Sequence, residues 1–188
     1  MIQYKDEKHR CRWVNPNNER YIQYHDEEWG KPVYEDRHLF EMLILESFQA
    51  GLSWECVLNK REAFRAAFDQ FDLDKVCGYG EDKIEELMQN KEIIRNRRKI
   101  TAAVNNARIF RNMQKEYGSF SRYLWHFTGN QVIYENDRTN SDLSDRISRD
   151  LYRRGMRFVG TTIIYSYLQA VGVIDSHEDG CFLGKKGG

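Results

Sequence analysis

Proline is almost missing from this chain: Pro16 and Pro32 are the only two in 188 residues. Long β-branched runs are scarce as well. Both shortages favour helices, which proline breaks and β-branched runs disfavour. No stretch reaches the roughly 18 consecutive apolar residues that a membrane span needs. The opening MIQYKDEKHR lacks the apolar core of a secretion signal. The expectation is therefore a cytoplasmic protein with no membrane contact. There are four cysteines, too widely scattered to hold an iron–sulfur cluster, and no Cys-x-x-Cys pair of the kind a zinc deaminase carries. In a reducing compartment they read as metal ligands or buried thiols rather than disulfides. An excess of either charge is missing too: 29 basic residues face 29 acidic ones. Nucleic-acid binders are usually basic, so any DNA contact has to come from local patches.

What the chain does have is length, aromatics and one apolar run. A chain of this size buries a core without staples, as one domain or two small lobes. Eleven Tyr, ten Phe and four Trp supply bulk for it. The run is LFEMLILESFQAGLSW, Leu39–Trp54. As a helix it is apolar on nearly every side, which places it at the centre of a domain. Glu46 is the exception on its faces. A buried carboxylate is costly unless it is paired or used. The break at Ala50-Gly51-Leu52-Ser53 then sets Trp54 just past the helix end.

Around this centre the pattern predicts further helices. Residues 1–10 are polar and read as a frayed arm. After the turn cluster Asn15-Pro16-Asn17-Asn18, the residues Tyr21, Tyr24, His25 and Glu28 follow helical spacing. The central helix is expected to begin near Arg37, with a cap at or near Asp36. One helix over 54–68, a link over 69–74 and a short helix over 80–90 come next. The segment from Lys91 reads as helix, tight turn at Arg95-Asn96-Arg97, then a long helix ending before Gly118. A packed aromatic helix over 119–127, a polar loop to Ser144 and two helices near 142–154 and 159–171 complete the chain. No strand pair is expected.

Two sets of side chains carry chemistry. Cys11, His25, His177 and Cys181 form a Cys₂His₂ set, with three residues between His177 and Cys181, which lie on one side of a turn. Such a closed set suits structural Zn²⁺ and would tie the N-terminal segment to the C-terminal tail. Spacing alone leaves open that the four are unconnected. Arg95, Arg97, Arg98 and Lys99 cluster where a helix starts, and the free N–H groups of a helix start suit a phosphate. A solvated helix face is the other reading of that cluster. Similarly, Trp54 reads as a pocket or core aromatic, Glu46 as a used or an internally satisfied carboxylate, and Tyr24 as a pocket residue or packing.

YHDEEWG (Tyr24–Gly30), the Leu39–Trp54 run, IIRNRRKI (Ile93–Ile100), FVGTTIIYSYLQAVG (Phe158–Gly172) and the final His-x3-Cys follow one another in order. Together they closely resemble the bacterial DNA-3-methyladenine glycosylase I family, over about residues 11–182. The resemblance implies an all-α fold of the helix-hairpin-helix glycosylase superfamily. Its two lobes would be about 11–35 with 140–182, bearing zinc, and about 36–139, bearing the hairpin near Ile84 to Ala107. It implies structural Zn²⁺ on Cys11, His25, His177 and Cys181, and a base pocket of Glu46, Tyr24 and Trp54 walled by Tyr21 and Trp13. Glu46 and Tyr24 would hydrogen-bond the base as the catalytic pair, and Trp54 would stack on it. Arg95, Arg97, Arg98 and Lys99 would grip DNA. The partner implied is double-stranded DNA with alkylated bases, bound by a monomer.

Two features depart from the wider superfamily. Asn90-Lys91-Glu92-Ile93-Ile94 stands where its glycine-rich hairpin turn is found. Its catalytic Asp has no clear counterpart, since that region holds Thr128 and Gly129, and Asp137 lies well into a loop. Loss of the Asp is tolerable for this substrate, because a base carrying a positive charge departs neutral. No Lys stands at a recognisable Schiff-base position and the family it resembles is monofunctional, so the activity implied is hydrolysis of a flipped base without strand cleavage. The rivals are a non-catalytic zinc module that binds nucleic acid, a zinc hydrolase with Glu46 as base, and a helical scaffold for a protein partner.

Overall fold

A computed structural model describes residues 6–184. Residues 1–5 of the expected frayed arm lie outside the described residues. The remainder of that arm is pinned. The Arg10 guanidinium donates to Asp26 and Asp6 at 2.6 Å each, and the Phe182 N–H reaches the His9 carbonyl at 2.7 Å.

The first helix, α1 (Glu19–Glu27), starts where the Asn18 side chain accepts from the Tyr21 N–H, and it buries Tyr21, Tyr24 and His25. The central helix, α2 (Asp36–Gln49), buries every residue from Leu39 to Phe48. Its cap is Glu35, whose carboxylate accepts from the N–H groups of Arg37 and His38. That cap lies next to Asp36, as expected, while Asp36 itself accepts from the N–H groups of Phe120 and Ser121 at 2.8 Å each. It thereby anchors the start of a later helix against α2.

The expected helix over 54–68 is two, α3 (Trp54–Asn59) and α4 (Arg61–Ala67), broken at Lys60. The link after it holds a left-handed turn, Asp69–Phe71 with φ of 51°, 58° and 55°, and a short helix α5 (Leu73–Cys77) capped by Asp72. The hairpin consists of α6 (Glu81–Gln89) and α7 (Arg97–Tyr117). Lys91–Ile94, expected as helix, is part of the turn instead, with Ile93 buried under it. Asn96 caps α7 by accepting from the Lys99 N–H, and Gly118 ends it in the left-handed conformation.

Next come α8 (Phe120–His126), α9 (Asp142–Arg153) and α10 (Thr161–Ala170). Two short strands were not expected: β1 (Ile133–Tyr134) and β2 (Ile174–Asp175) pair in parallel, Ile133 opposite Ile174. Apart from them the regular structure among the described residues is helical.

α2 packs against α10, α7, α3 and α8. Rings fill these contacts: Phe40 on Phe110 at 5.2 Å, Phe110 on Phe120 at 3.9 Å, Phe48 on Phe64 at 4.8 Å. Each fully buried Phe contributes about 1.5–3 kcal/mol to the core. Among the described residues no helix is long and apolar enough to cross a membrane.

Candidate functional site

A cavity of about 280 Å³ opens beside α2. All five residues expected in a pocket line it: Trp13, Tyr21, Tyr24, Glu46 and Trp54. α2 supplies Glu46 from its last turns. Gly51, with φ +81°, then reverses the chain so that Trp54 begins α3 beside it. α1 supplies Tyr21 and Tyr24, one turn apart. Tyr24 packs on Trp54 with ring centroids 5.4 Å apart, and Trp13 on Tyr21 at 5.2 Å.

Two polar atoms in this cavity stand out. Glu46 Oε2 and Trp54 Nε1 are both buried and have no hydrogen-bond partner. Native proteins rarely leave such groups unmet, so an acceptor and a donor held open in one cavity mark a ligand site. Burial pushes the Glu46 carboxyl up to about 8, with no cation nearby to hold it down. Burial likewise raises Tyr24, and it takes Tyr21 up to about 12, helped by Glu55 and Glu46. Around Glu46 itself the pocket is therefore apolar, with no positive group facing the carboxyl, while the carboxylates of Asp137 and Glu178 stand elsewhere in the lining.

Other lining residues were not anticipated. Gln49 comes from α2, and Ser166 and Gln169 from α10. The Gln169 amide donates to Ser176 Oγ at 2.8 Å. A signal for these existed: Ser166 and Gln169 are polar residues three apart in an otherwise apolar helix, and so share one face. The β1–β2 pair also brings Asn136 and Asp137 to the cavity. Asp137, too far along its loop in sequence to be assigned a place, thus lies at the pocket. Its carboxylate is exposed and 3.9 Å from Arg12.

Behind the pocket lies the candidate metal centre. Donor atoms of Cys11, His25 and Cys181 fall within 4.8 Å of one another, all buried. Cys181 Sγ is 3.4 Å from His25 Nε2. His177 stands just outside this trio, its ring centroid 5.2 Å from that of His25, and its Nε2 is buried without a partner. Each imidazole has its other nitrogen on a carboxylate: His25 Nδ1 on Asp26 at 2.8 Å, His177 Nδ1 on Asp175 at 2.7 Å. That arrangement fixes the tautomer and aims both Nε2 lone pairs inward, as metal-bound histidines require. Burial lowers the His25 pKa and so favours the neutral, ligating ring. The donor set fits a tetrahedral Zn²⁺. Gly30 makes room for the His177 ring: a Cβ there would lie 2.7 Å from His177 Cε1.

The basic cluster is divided. Arg95 and Arg98 are exposed, with no ion pair among the described residues. Arg97 is clamped by Glu81 and Glu85 of α6. Lys99, expected to face DNA, points inward. It is 7% exposed, and its ammonium donates to the carbonyls of Phe48 at 2.8 Å and Ala50 at 2.6 Å.

Comparison with known proteins decides the family. The profile of the methyladenine glycosylase family matches residues 13–184. The chain belongs to the methyladenine glycosylase family. It is a DNA repair glycosylase with the helix-hairpin-helix glycosylase fold, its hairpin formed by α6 and α7. DNA-3-methyladenine glycosylase 1 of Escherichia coli (strain K12) is 44% identical over 178 residues, covering 92% of this chain and 95% of that one. A structure of 3-methyladenine DNA glycosylase I from Staphylococcus aureus, described as the basis of 3-methyladenine recognition, superposes with a TM-score of 0.87 at 34% identity. It covers 91% of this chain and 94% of its own. A further structure, a Tyr-to-Phe variant of such an enzyme in complex with 3-methyladenine, gives 0.85 at 34% identity, over 88% and 92%.

Proposed function

We propose that this glycosylase flips 3-methyladenine out of alkylated duplex DNA into the Glu46 pocket and hydrolyses its N-glycosidic bond. The observation that carries this reading is the pair of unmet polar atoms, Glu46 Oε2 and Trp54 Nε1, in a cavity walled by aromatic rings. Glu46 would accept from the polar edge of the base, Tyr24 would hydrogen-bond it, and Trp54 would stack on it, with Tyr21 and Trp13 as walls. Methylation at N3 makes adenine cationic. A cation entering beside Glu46 lowers the pKa of its carboxyl, which releases its proton to solvent and becomes a matched carboxylate. That contact selects the cationic base over ordinary adenine. The base leaves neutral, so the bond breaks with little acid catalysis; with no Schiff-base Lys recognised, we read the activity as monofunctional.

The DNA grip in this reading is narrower than the sequence pattern implied. Arg95 and Arg98 flank the start of α7, whose free N–H groups suit a phosphate. Leu52, 42% exposed at the tip between Glu46 and Trp54, is an apolar group able to enter the unstacked step. One Zn²⁺ on Cys11, His25, His177 and Cys181 would join the two chain ends without touching the reaction. We read the pocket as lying between two lobes, 11–35 with 140–182 and 36–139, in a monomeric cytoplasmic enzyme.

Incubation with methylated duplex DNA and chromatography of the released bases tests this. Free 3-methyladenine without 7-methylguanine is expected. DNA binding with no released base would favour a non-catalytic zinc module instead.

A further inference from the structure

Lys99 is the one member of the basic cluster that folding has turned inward, and its surroundings are unusual. Among the described residues no carboxylate accepts from its ammonium; two backbone carbonyls do, those of Phe48 and Ala50. Both belong to the end of α2, where the last carbonyls have no intrahelical partner. A cation there also meets the negative end of the helix dipole. Burial without a counter-ion lowers the ammonium pKa, so the contact has a cost that a surface lysine avoids.

The position of the two carbonyls gives that cost a purpose. Phe48 and Ala50 bracket Gln49, which lines the pocket, and both lie within one turn of Glu46. Ala50 is also where the chain leaves α2 for the Gly51–Ser53 loop that delivers Trp54. That loop has few other holds: the Leu52 N–H reaches the Gln49 carbonyl at 2.6 Å, and Ser53 caps α3. Lys99 itself is in the first turn of α7, directly after exposed Arg98. The Lys99 backbone N–H is held by the Asn96 cap at 3.2 Å. One side chain therefore links the start of the hairpin helix to the exit of the helix that carries Glu46.

We propose that Lys99 is a positioning residue. It fastens the Gln49–Trp54 wall of the base pocket to the first turn of α7, so that a duplex gripped at that turn meets a pocket already in place. This rests on the pocket and hairpin reading above. It assigns Lys99 no contact with DNA and none with the base.

Lys99→Met keeps the aliphatic stem and removes the donors. At a temperature where the variant is fully folded by circular dichroism, the maximal single-turnover rate on methylated duplex should fall about 10- to 100-fold, as expected when reacting groups are misplaced by about 1 Å. The duplex concentration giving half that rate should move less than about threefold, because no DNA contact is lost. Amide hydrogen exchange should quicken in residues 49–56 and stay unchanged in α9. Lys99→Arg, which keeps donors for both carbonyls, should preserve the slow exchange of 49–56; should the Met variant not fold, a fast-exchanging Arg variant of normal rate overturns the proposal. A folded Lys99→Met with a rate within about twofold of wild type also overturns it, as does a rate loss with unchanged exchange in 49–56. Failure of the pocket reading is separate: Trp54→Ala would then bind free 3-methyladenine like wild type, whatever Lys99 does.

Discussion

Tyr24 and Trp54 meet in the pocket wall with ring centroids 5.4 Å apart and planes inclined at 49°. The Trp54 indole N–H is a buried donor without a partner, and its indole is the larger stacking surface. Trp54→Ala should weaken binding of free 3-methyladenine by about 1–3 kcal/mol, the value of one base stacked on an aromatic ring. Tyr24→Phe removes a hydroxyl and keeps the ring, so its loss should be smaller. Calorimetric titration of both variants with the free base checks the order.

The Glu46 carboxyl, raised by burial to about 8, makes the enzyme pH-dependent in a defined direction. Recognition of a cationic base needs the carboxylate, and below about 8 the empty pocket holds the acid. kcat/KM on methylated duplex should therefore rise with pH up to about 8 and then level, since that ratio reports the free enzyme. Glu46→Gln should lower it and flatten the profile. Stability runs the other way. The folded state keeps a proton that an unfolded carboxyl loses near its ordinary value of 4.5. Wild-type stability should thus decline relative to Glu46→Gln as pH rises from about 4.5 through about 8. Thermal midpoints of both proteins across that range test the sign.

Glu46 and Trp54 were legible as candidates because they are local to one run, whereas the pocket joining them to Tyr24, Tyr21 and Trp13 came from the family resemblance. Glu46 betrays itself as a carboxylate in an apolar helix, and Trp54 follows one turn and a loop later. Glu41, only five residues before Glu46, escaped notice. Periodicity cannot rank the faces of a helix buried on all sides, and the partners of Glu41, Arg61 and Arg65, lie on α4. Lys99 was misread for the same reason. Among neighbouring arginines it looks like surface charge, while the carbonyls it meets are about fifty residues earlier in the chain. The β1–β2 pair joins two-residue segments some forty residues apart, too short for alternation to register. The helix over 54–68 failed at Lys60, where apolar spacing continues although the backbone turns.

Removal of metal should separate a structural from a catalytic role. In the proposed Cys₂His₂ site the ion would join Cys11 and His25 to His177 and Cys181, so its loss would loosen the hold between the two chain ends. Chelation, or Cys11→Ser, should lower the thermal midpoint, and elemental analysis should find one zinc per untreated chain. Excision per folded molecule should persist. Activity abolished in folded, stripped protein and restored by added metal would instead support a zinc hydrolase.

Arg61 is the strongest test of the packing beneath the pocket. It is 5% exposed and donates to Glu41 of α2 at 2.7 Å and to both oxygens of Glu28, at the end of α1, at 2.7 and 2.9 Å. It thus ties α4 to the two helices that carry Tyr24 and Glu46. Arg61→Met removes the cation and leaves Glu41, itself 8% exposed, with Arg65 alone. Breaking one side of a buried pair costs about 3–5 kcal/mol, because the remaining charge stays desolvated. Arg65 shields part of that, so the lower end is expected. Adding Glu41→Leu removes the stranded charge and should recover part of the loss. Chemical denaturation of the single and double variants measures both steps. A double variant less stable than Arg61→Met would mean that Glu41 is held chiefly by Arg65.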